Sequence, residues 1–326
     1  MTAATADRAG SRPAWTQDLL PQLLQRGVYV LLLALLVLGF LTNPAFRTGD
    51  NLVNVLRSVS LVGIVALGVG FVTFCGSLVD LSVAATISIA GVVALAAART
   101  DPVLGVLAAL AAGLVVGAVN GFFVGRLRAN PILLTLATTT VLGGLLLVAT
   151  QSKVTYGSDT WLQDVARARV LGLPVSVLVL LALTVLCQLV LRGTTFGRRL
   201  MAVGANERTA MFCGLDVTRI RMQAFLVSGL FAGITGLLLA GTLGSATATA
   251  GAGYDFDAVT AVVLGGAALN GGKGNPVGVL AGAVLVGVLS NLLVLWGAPF
   301  ALQQVVKGLL LVLTVAVSHY FGGRRG

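Results

Sequence analysis

The sequence predicts an all-α fold, a polytopic transmembrane helical bundle of about ten spans with both termini cytoplasmic. Three observations predict it. Of the 326 residues, 57% are hydrophobic and only 10% charged, with a mean hydropathy of +1.00. A soluble domain carries about 25% charged residues because its surface must meet water. Apolar runs approaching the about 20 residues that cross roughly 30 Å of hydrocarbon recur almost end to end. Basic residues are sorted between those runs, as the positive-inside rule requires.

The elements follow in order. Residues 1–27 are polar and mixed in charge, and form a cytoplasmic N-terminal segment. The run at 28–42 is followed by no small-residue cleavage pattern, so it is a retained first span rather than a secretory signal. Further runs lie at 57–76, 78–98, 103–125, 131–150, 173–192, 224–244, 255–268, 276–297 and 300–321, which makes 28–321 one transmembrane domain followed by a cytoplasmic tail, 322–326. The run at 255–268 is short and begins with Asp255 and Asp257, and almost no loop separates the two runs that meet near Asp80. An eight-span arrangement with re-entrant pieces near 78–90 and 255–270 keeps the same ends. Two loops exceed hairpin length: a mixed-charge outer loop, 151–172, and a basic inner loop, 193–222. Neither can face lipid with its backbone groups unsatisfied.

With ten spans, the inner segments hold fourteen of the twenty-one basic residues, six of them the arginines from Arg192 to Arg221, and the outer segments hold six. The net charge of +10 is therefore topological, and implies no nucleic-acid partner. The 42 glycines let helix backbones approach closely, where packing replaces the hydrophobic effect as the adhesive. Cys75, Cys187 and Cys213 have no metal-type spacing and imply no disulfide framework. A faint internal echo links the run opening at Asp80 and ending near Asn120 to the run opening at Asp257 and ending near Asn291, as duplicated transporter halves do.

Several chemistries are missing. The segment Gly265 to Gly274 contains Gly-Lys, but Ala267 and Gly274 stand where a phosphate loop needs glycine and a magnesium-binding hydroxyl. No nucleotide cofactor, metal or catalytic residue is expected. His319 is the single histidine, which leaves no histidine-dependent triad or multi-histidine metal site. The deep acids Asp80, Asp255 and Asp257 each open an apolar run, where a carboxylate can accept free helix-terminal amides or can contact a solute. Lys307 is the one ionisable group in mid-run, and with Asp80 it would be the site of an ion-coupled carrier. In the inner loop, Asn206 can cap a helix from Glu207 to about Phe212, stopped at Gly214. Such a helix, with apolar Met211 and Phe212, fits a groove on a partner; equally, the loop can be a basic surface against anionic headgroups.

The chain resembles the ribose-type permease family of bacterial ATP-binding-cassette importers along most of its length. The matching elements are Leu78-Val79-Asp80-Leu81-Ser82, Val119-Asn120-Gly121, Asn130-Pro131 with Thr135-Leu136, and Thr194-Thr195-Phe196-Gly197-Arg198. They continue with Gly204, Asn206, Glu207, Ala210 and Gly214, then the Gly-rich stretch from Gly253 to Gly274, and finally Gln303, Gln304, Lys307 and Gly308. Leu78 stands where the family has glycine, and Arg208 and Thr209 stand where it has small residues. The resemblance implies a permease without its own ATPase, paired with a second permease copy or paralogue, an ATPase subunit and an extracytoplasmic substrate-binding protein. It implies an ATPase-coupling segment at Asn206, Glu207, Ala210, Met211 and Gly214. Asp80, Ser82, Asn120, Asp255, Asp257, Gln303, Gln304 and Lys307 are candidate structural or pathway residues. A small sugar, ribose or a related monosaccharide or polyol, is the first substrate class; branched-chain amino acids or nucleosides are the second.

Overall fold

The structure is a computed structural model that describes residues 14–157 and 161–322, with side chains over 27–157 and 161–316. Arg8, Arg12, Arg324, Arg325 and the tail beyond residue 322 lie outside the described residues, and the His319 side chain lies outside the described side chains. In chain order the helices are α1 (Ala14–Thr42), a 3₁₀ turn (Pro44–Arg47), α2 (Gly49–Phe74), α3 (Val83–Ala98), α4 (Pro102–Gly125), α5 (Pro131–Thr150) and α6 (Trp161–Arg167). They continue with α7 (Val175–Gly193), α8 (Thr195–Ala205), α9 (Glu207–Phe212), α10 (Val217–Leu243), α11 (Tyr254–Leu264), α12 (Pro276–Leu295) and α13 (Phe300–Gly322). Two-residue strand pairs, unforeseen in the sequence, join Thr155–Tyr156 (β1) to Ser245–Ala246 (β4) and Arg169–Val170 (β2) to Leu173–Pro174 (β3).

Among the described residues six helices, α2, α4, α5, α7, α10 and α12, are long and apolar enough to cross a membrane. Shorter apolar helices occupy the remaining runs: Gly27–Thr42 within α1, Val83–Ala98, Phe300–Ala316 within α13, and the 11-residue α11. α3 and α11 are short for one reason. Each is preceded by an irregular stretch, 75–82 or 244–253, whose glycines take positive φ at Gly76 (79°), Gly244 (71°) and Gly253 (89°). Helix starts are marked by local capping. Asp101, Asn130 and Asn275 each accept a backbone amide of the first turn, and each is followed by a proline that has no N–H to lose.

α2 is the hub. Every residue from Val59 to Phe74 is buried, and α7, α10, α11 and α12 all pack on it. Asn51 and Asn291 tie α2 to α12 by reciprocal amide bonds of 3.1 and 2.8 Å. The tightest seam is α4 on α10. Gly113, Gly117, Gly121 and Gly125 recur every fourth residue, so they form one face. A Cβ at Gly113 would strike the Gly229 carbonyl oxygen, and one at Gly117 the Phe225 carbonyl oxygen. The large exposed side chains of α1, α4, α5, α7 and α13 form the opposite kind of surface, an apolar belt suited to lipid.

The connections gather at two ends of the bundle. At one end the Gly272 amide donates to the Phe74 carbonyl (2.9 Å), and Gly204 at the end of α8 packs on that same carbonyl with no room for a Cβ. At the other end Arg99 donates to the Tyr156 carbonyl (3.0 Å), Arg57 to the Arg167 carbonyl (3.3 Å), and Asn43 to the Leu295 carbonyl (3.0 Å).

Candidate functional site: a docking segment and a buried polar joint

The first site is the segment 193–222. Thr194 caps α8 by accepting from the Gly197 amide (3.2 Å). Leu200 and Val203 turn inward, and Phe196 stacks on Phe71 of α2 with ring centroids 6.2 Å apart. Asn206 then caps α9, its Oδ1 accepting from the Thr209 amide (3.0 Å). α9 ends where the sequence places its stop: Gly214 has φ 76° and donates to the Met211 carbonyl (2.9 Å). A β-carbon there would be strained. Ala210 is buried, Met211 is exposed, and Phe212 is 91% exposed. Arg192, Arg198, Arg199, Arg208 and Arg219 are exposed around it. Beside α9, Phe196, Arg199, Leu215, Arg219 and Ile220 line a groove of about 420 Å³.

Glu207 reaches back to α10 while its side chain stays 37% exposed. Its two carboxylate oxygens accept from both terminal nitrogens of Arg221 on α10, at 3.1 and 2.6 Å. This fork geometry adds directional strength to charge pairing. Sequence reasoning missed Arg221 as a partner. The signal was an arginine opening the apolar run of α10, but nothing local indicated which acid it meets.

The second site is a buried polar joint at the break between α2 and α3. Asp80 Oδ1 accepts from the Ser82 amide (2.9 Å) and the Ser82 hydroxyl (2.6 Å). Asp80 Oδ2 accepts from the Ser228 hydroxyl of α10 (2.8 Å). Asn120 of α4 donates to Ser82 Oγ (2.7 Å) and accepts from Thr138 of α5 (2.7 Å). Thr139 donates to the Leu81 carbonyl (2.8 Å), and the Leu81 amide donates to Thr135 Oγ1 (3.2 Å). Asp80 thus accepts from the amide of Ser82, the residue that caps α3, and also binds a second helix, α10, through a neutral donor. Ser228, Thr135, Thr138 and Thr139 were not foreseen as its neighbours. Their signal was a serine in the apolar run of α10 and a threonine cluster on α5.

The third cluster joins α11 to α13. Lys307 Nζ lies 2.8 Å from Asp257 Oδ2, and both side chains are more than nine-tenths buried. Asp257 Oδ1 and the Thr260 hydroxyl, one turn apart on α11, have no hydrogen-bond partner. Gln304 sits against Gly253, Gln303 donates to the Ala298 carbonyl (2.9 Å), and Asp255 is half-buried in the first turn of α11. The structure does not bring Asp80 and Lys307 together; each has other partners.

Comparison with known proteins agrees with this architecture. The family described as branched-chain amino acid transport system, permease component, matches residues 51–315. The ribose import permease of Bacillus subtilis is 36% identical over 297 residues, 90% of this chain and 92% of the relative. That of Haemophilus influenzae is 32% identical over 309 residues, 93% and 95% of the two chains. The L-arabinose permease of Azospirillum brasilense is 33% identical over 320 residues, 97% and 94%. No solved structure matches the chain. The relatives span nearly the whole chain, and the family match takes in the polar joint, the segment 193–222 and the α11–α13 cluster. The chain therefore belongs to the ribose-type permease family of ATP-binding-cassette importers, as a multi-pass protein of the cytoplasmic membrane.

Proposed function

We propose that this chain is the passage subunit of an ATP-driven importer for a small neutral sugar, ribose or a related monosaccharide. Its partners are a second permease copy or paralogue, an ATPase subunit that docks on 206–214, and an extracytoplasmic sugar-binding protein. The observation that carries the reading is the geometry of α9. Its apolar tip, Phe212, projects into solvent among arginines, while its root, Glu207, is clamped to α10. A loop that merely lies against headgroups needs no such clamp. The relatives named above, carriers of ribose and L-arabinose, support the substrate class.

The same reading assigns ten traversals with both termini on the docking side. Loops 75–82 and 265–275 share one end of the bundle with α8, whereas 43–48, 151–174 and 244–246 share the other. Strict alternation between these ends gives an even number of crossings. α3 and α11, each completed by irregular chain, then count as crossings.

The test is reconstitution with the ATPase and the binding protein in proteoliposomes, following labelled ribose. Uptake should require all components and ATP. Glu207→Arg and Gly214→Trp should insert normally, yet separate ATP hydrolysis from uptake. Ribose uptake by this chain alone, driven by an ion gradient, would refute the proposal. The family's own description makes branched-chain amino acids the second substrate class, and competition by excess leucine would reveal it.

A further inference from the structure

From Gly244 to Gly253 the chain runs without a helix. Its first residues are level with the end of the bundle opposite the docking segment. Ser245 pairs with Tyr156, whose carbonyl accepts from Arg99 just past the end of α3. Gly251 is much deeper. Its amide donates to the Ser88 hydroxyl (2.9 Å), and its Cα lies so close to the Ala84 carbonyl that no Cβ would fit. Ser88 and Arg99 are eleven residues apart along α3, which at 1.5 Å per residue is about 16 Å. The segment therefore descends about half of the roughly 30 Å hydrocarbon thickness as a series of turns rather than as a continuous helix.

Irregular backbone at that depth persists only where it is buried in protein or faces water. One side of this segment is buried: Ala246 and Gly251 pack on α3. The other side is open, with Thr249 and Ala252 exposed and Phe256, just beyond on α11, 47% exposed. Turn bonds from the Ala250, Ala252 and Tyr254 amides to the Thr247, Thr249 and Gly251 carbonyls satisfy part of this backbone; lipid tails cannot satisfy the peptide groups left over, which must meet protein or water. The groups there are hydroxyls at Thr247 and Thr249, peptide groups, and the Gln304 amide beside Gly253. All are neutral, and all can both donate and accept or sit beside groups that do.

We propose that the 247–253 segment, together with Gln304, lines a water-filled passage at mid-depth and offers hydroxyl, amide and backbone groups to a neutral polyhydroxylated solute. The chemical class of the solute rests on the sugar-importer reading above; the water-facing passage does not. A sugar stripped of hydration needs replacement hydrogen bonds along its route, and this wall supplies them.

The test uses the full chain in native membranes, with Cys213→Ser removing the exposed thiol while Cys75 and Cys187 remain buried. Thr249→Cys and, separately, Ala252→Cys are treated with a charged, membrane-impermeant methanethiosulfonate reagent. Leu309→Cys and Val148→Cys, exposed on the apolar belt, are the controls. Both passage variants should react at least about tenfold faster than the controls, because the reagent needs water to reach a thiol. Labelling should then abolish ribose uptake by the reconstituted transporter. Labelling no faster than the controls at both positions overturns the proposal. So does fast labelling that leaves uptake intact, because the water would then not be the passage. A failed sugar assignment is distinguishable: ribose uptake would be missing before any label is added.

Discussion

Two buried acids in this chain are neutralised in different ways, and their responses to mutation should differ accordingly. Asp80 is held by three neutral donors from Ser82 and Ser228. An amide can replace it, because the Ser228 hydroxyl can rotate to accept from the new N–H₂. Asp80→Ala instead strands all three donors, and each unsatisfied buried donor costs about 1–3 kcal/mol. Asp80→Asn should therefore keep thermal stability in detergent within about 1 kcal/mol of the parent, whereas Asp80→Ala should lose several. Equal losses would show that the charge itself is required. Asp257 is different, because its partner is a cation. Lys307→Met alone leaves a buried carboxylate unpaired, at about 3–5 kcal/mol. Lys307→Met combined with Asp257→Leu should recover most of that loss in the same melting experiment. A double variant no better than the single one would sink the pair's role as a local electrostatic unit. Asp80 was recognisable in the sequence because a charge in an apolar run is conspicuous. Its partner Ser228 was not, since 148 residues separate them and no local pattern links a serine to one aspartate.

At the scale of elements, short-range grammar was readable and helix length was not. Asn206, α9 and Gly214 lie within nine residues, so capping chemistry alone defines the helix. The structure places the Asn206 cap and the positive φ of Gly214 at the expected positions. The 11-residue α11 was harder to bound. Its flanks are Gly, Ala and Thr, which read equally well as the end of a span or as irregular chain. α9 also carries a prediction that separates docking from folding. Phe212 is 91% exposed, so Phe212→Ala should leave the melting temperature unchanged. If it anchors the ATPase, truncation should weaken the purified complex by about 2 kcal/mol or more, roughly thirtyfold in Kd. A melting scan of the detergent-solubilised permease reads the first arm, and calorimetric titration of the ATPase onto it reads the second. An unchanged Kd would move the docking contact elsewhere on the segment.

For the whole molecule, topology is the property most open to direct test. Thr209 lies on α9, whereas Leu171, 98% exposed, lies on the connection at the opposite end. In intact cells with the Cys213→Ser background, an impermeant thiol reagent should label Leu171→Cys from outside. It should label Thr209→Cys only after the membrane is opened. Labelling of both from the same side would contradict the alternating arrangement and the both-termini-inside orientation with it. The molecule also shows why so glycine-rich a chain can be rigid. The α4–α10 seam is built from backbone against backbone, with glycine on both sides at Gly113 and Gly229. In lipid this close packing substitutes for the hydrophobic drive that a soluble core would use.

Composition and charge order by themselves settled that lipid is the main solvent and that one loop, 193–222, is the basic face. Both are sums over many residues and do not depend on how the chain returns on itself. Local capping likewise settled α9, because its hydrogen bonds close within one turn. Tertiary structure alone decided the rest: that Glu207 pairs with Arg221, that Lys307 neutralises Asp257, and that α11 is only 11 residues long. Each of these depends on which helix lies opposite. In a chain of interchangeable Gly, Ala, Leu and Val faces, that choice is made by close approach of backbones in three dimensions, which a linear pattern of apolar residues does not record.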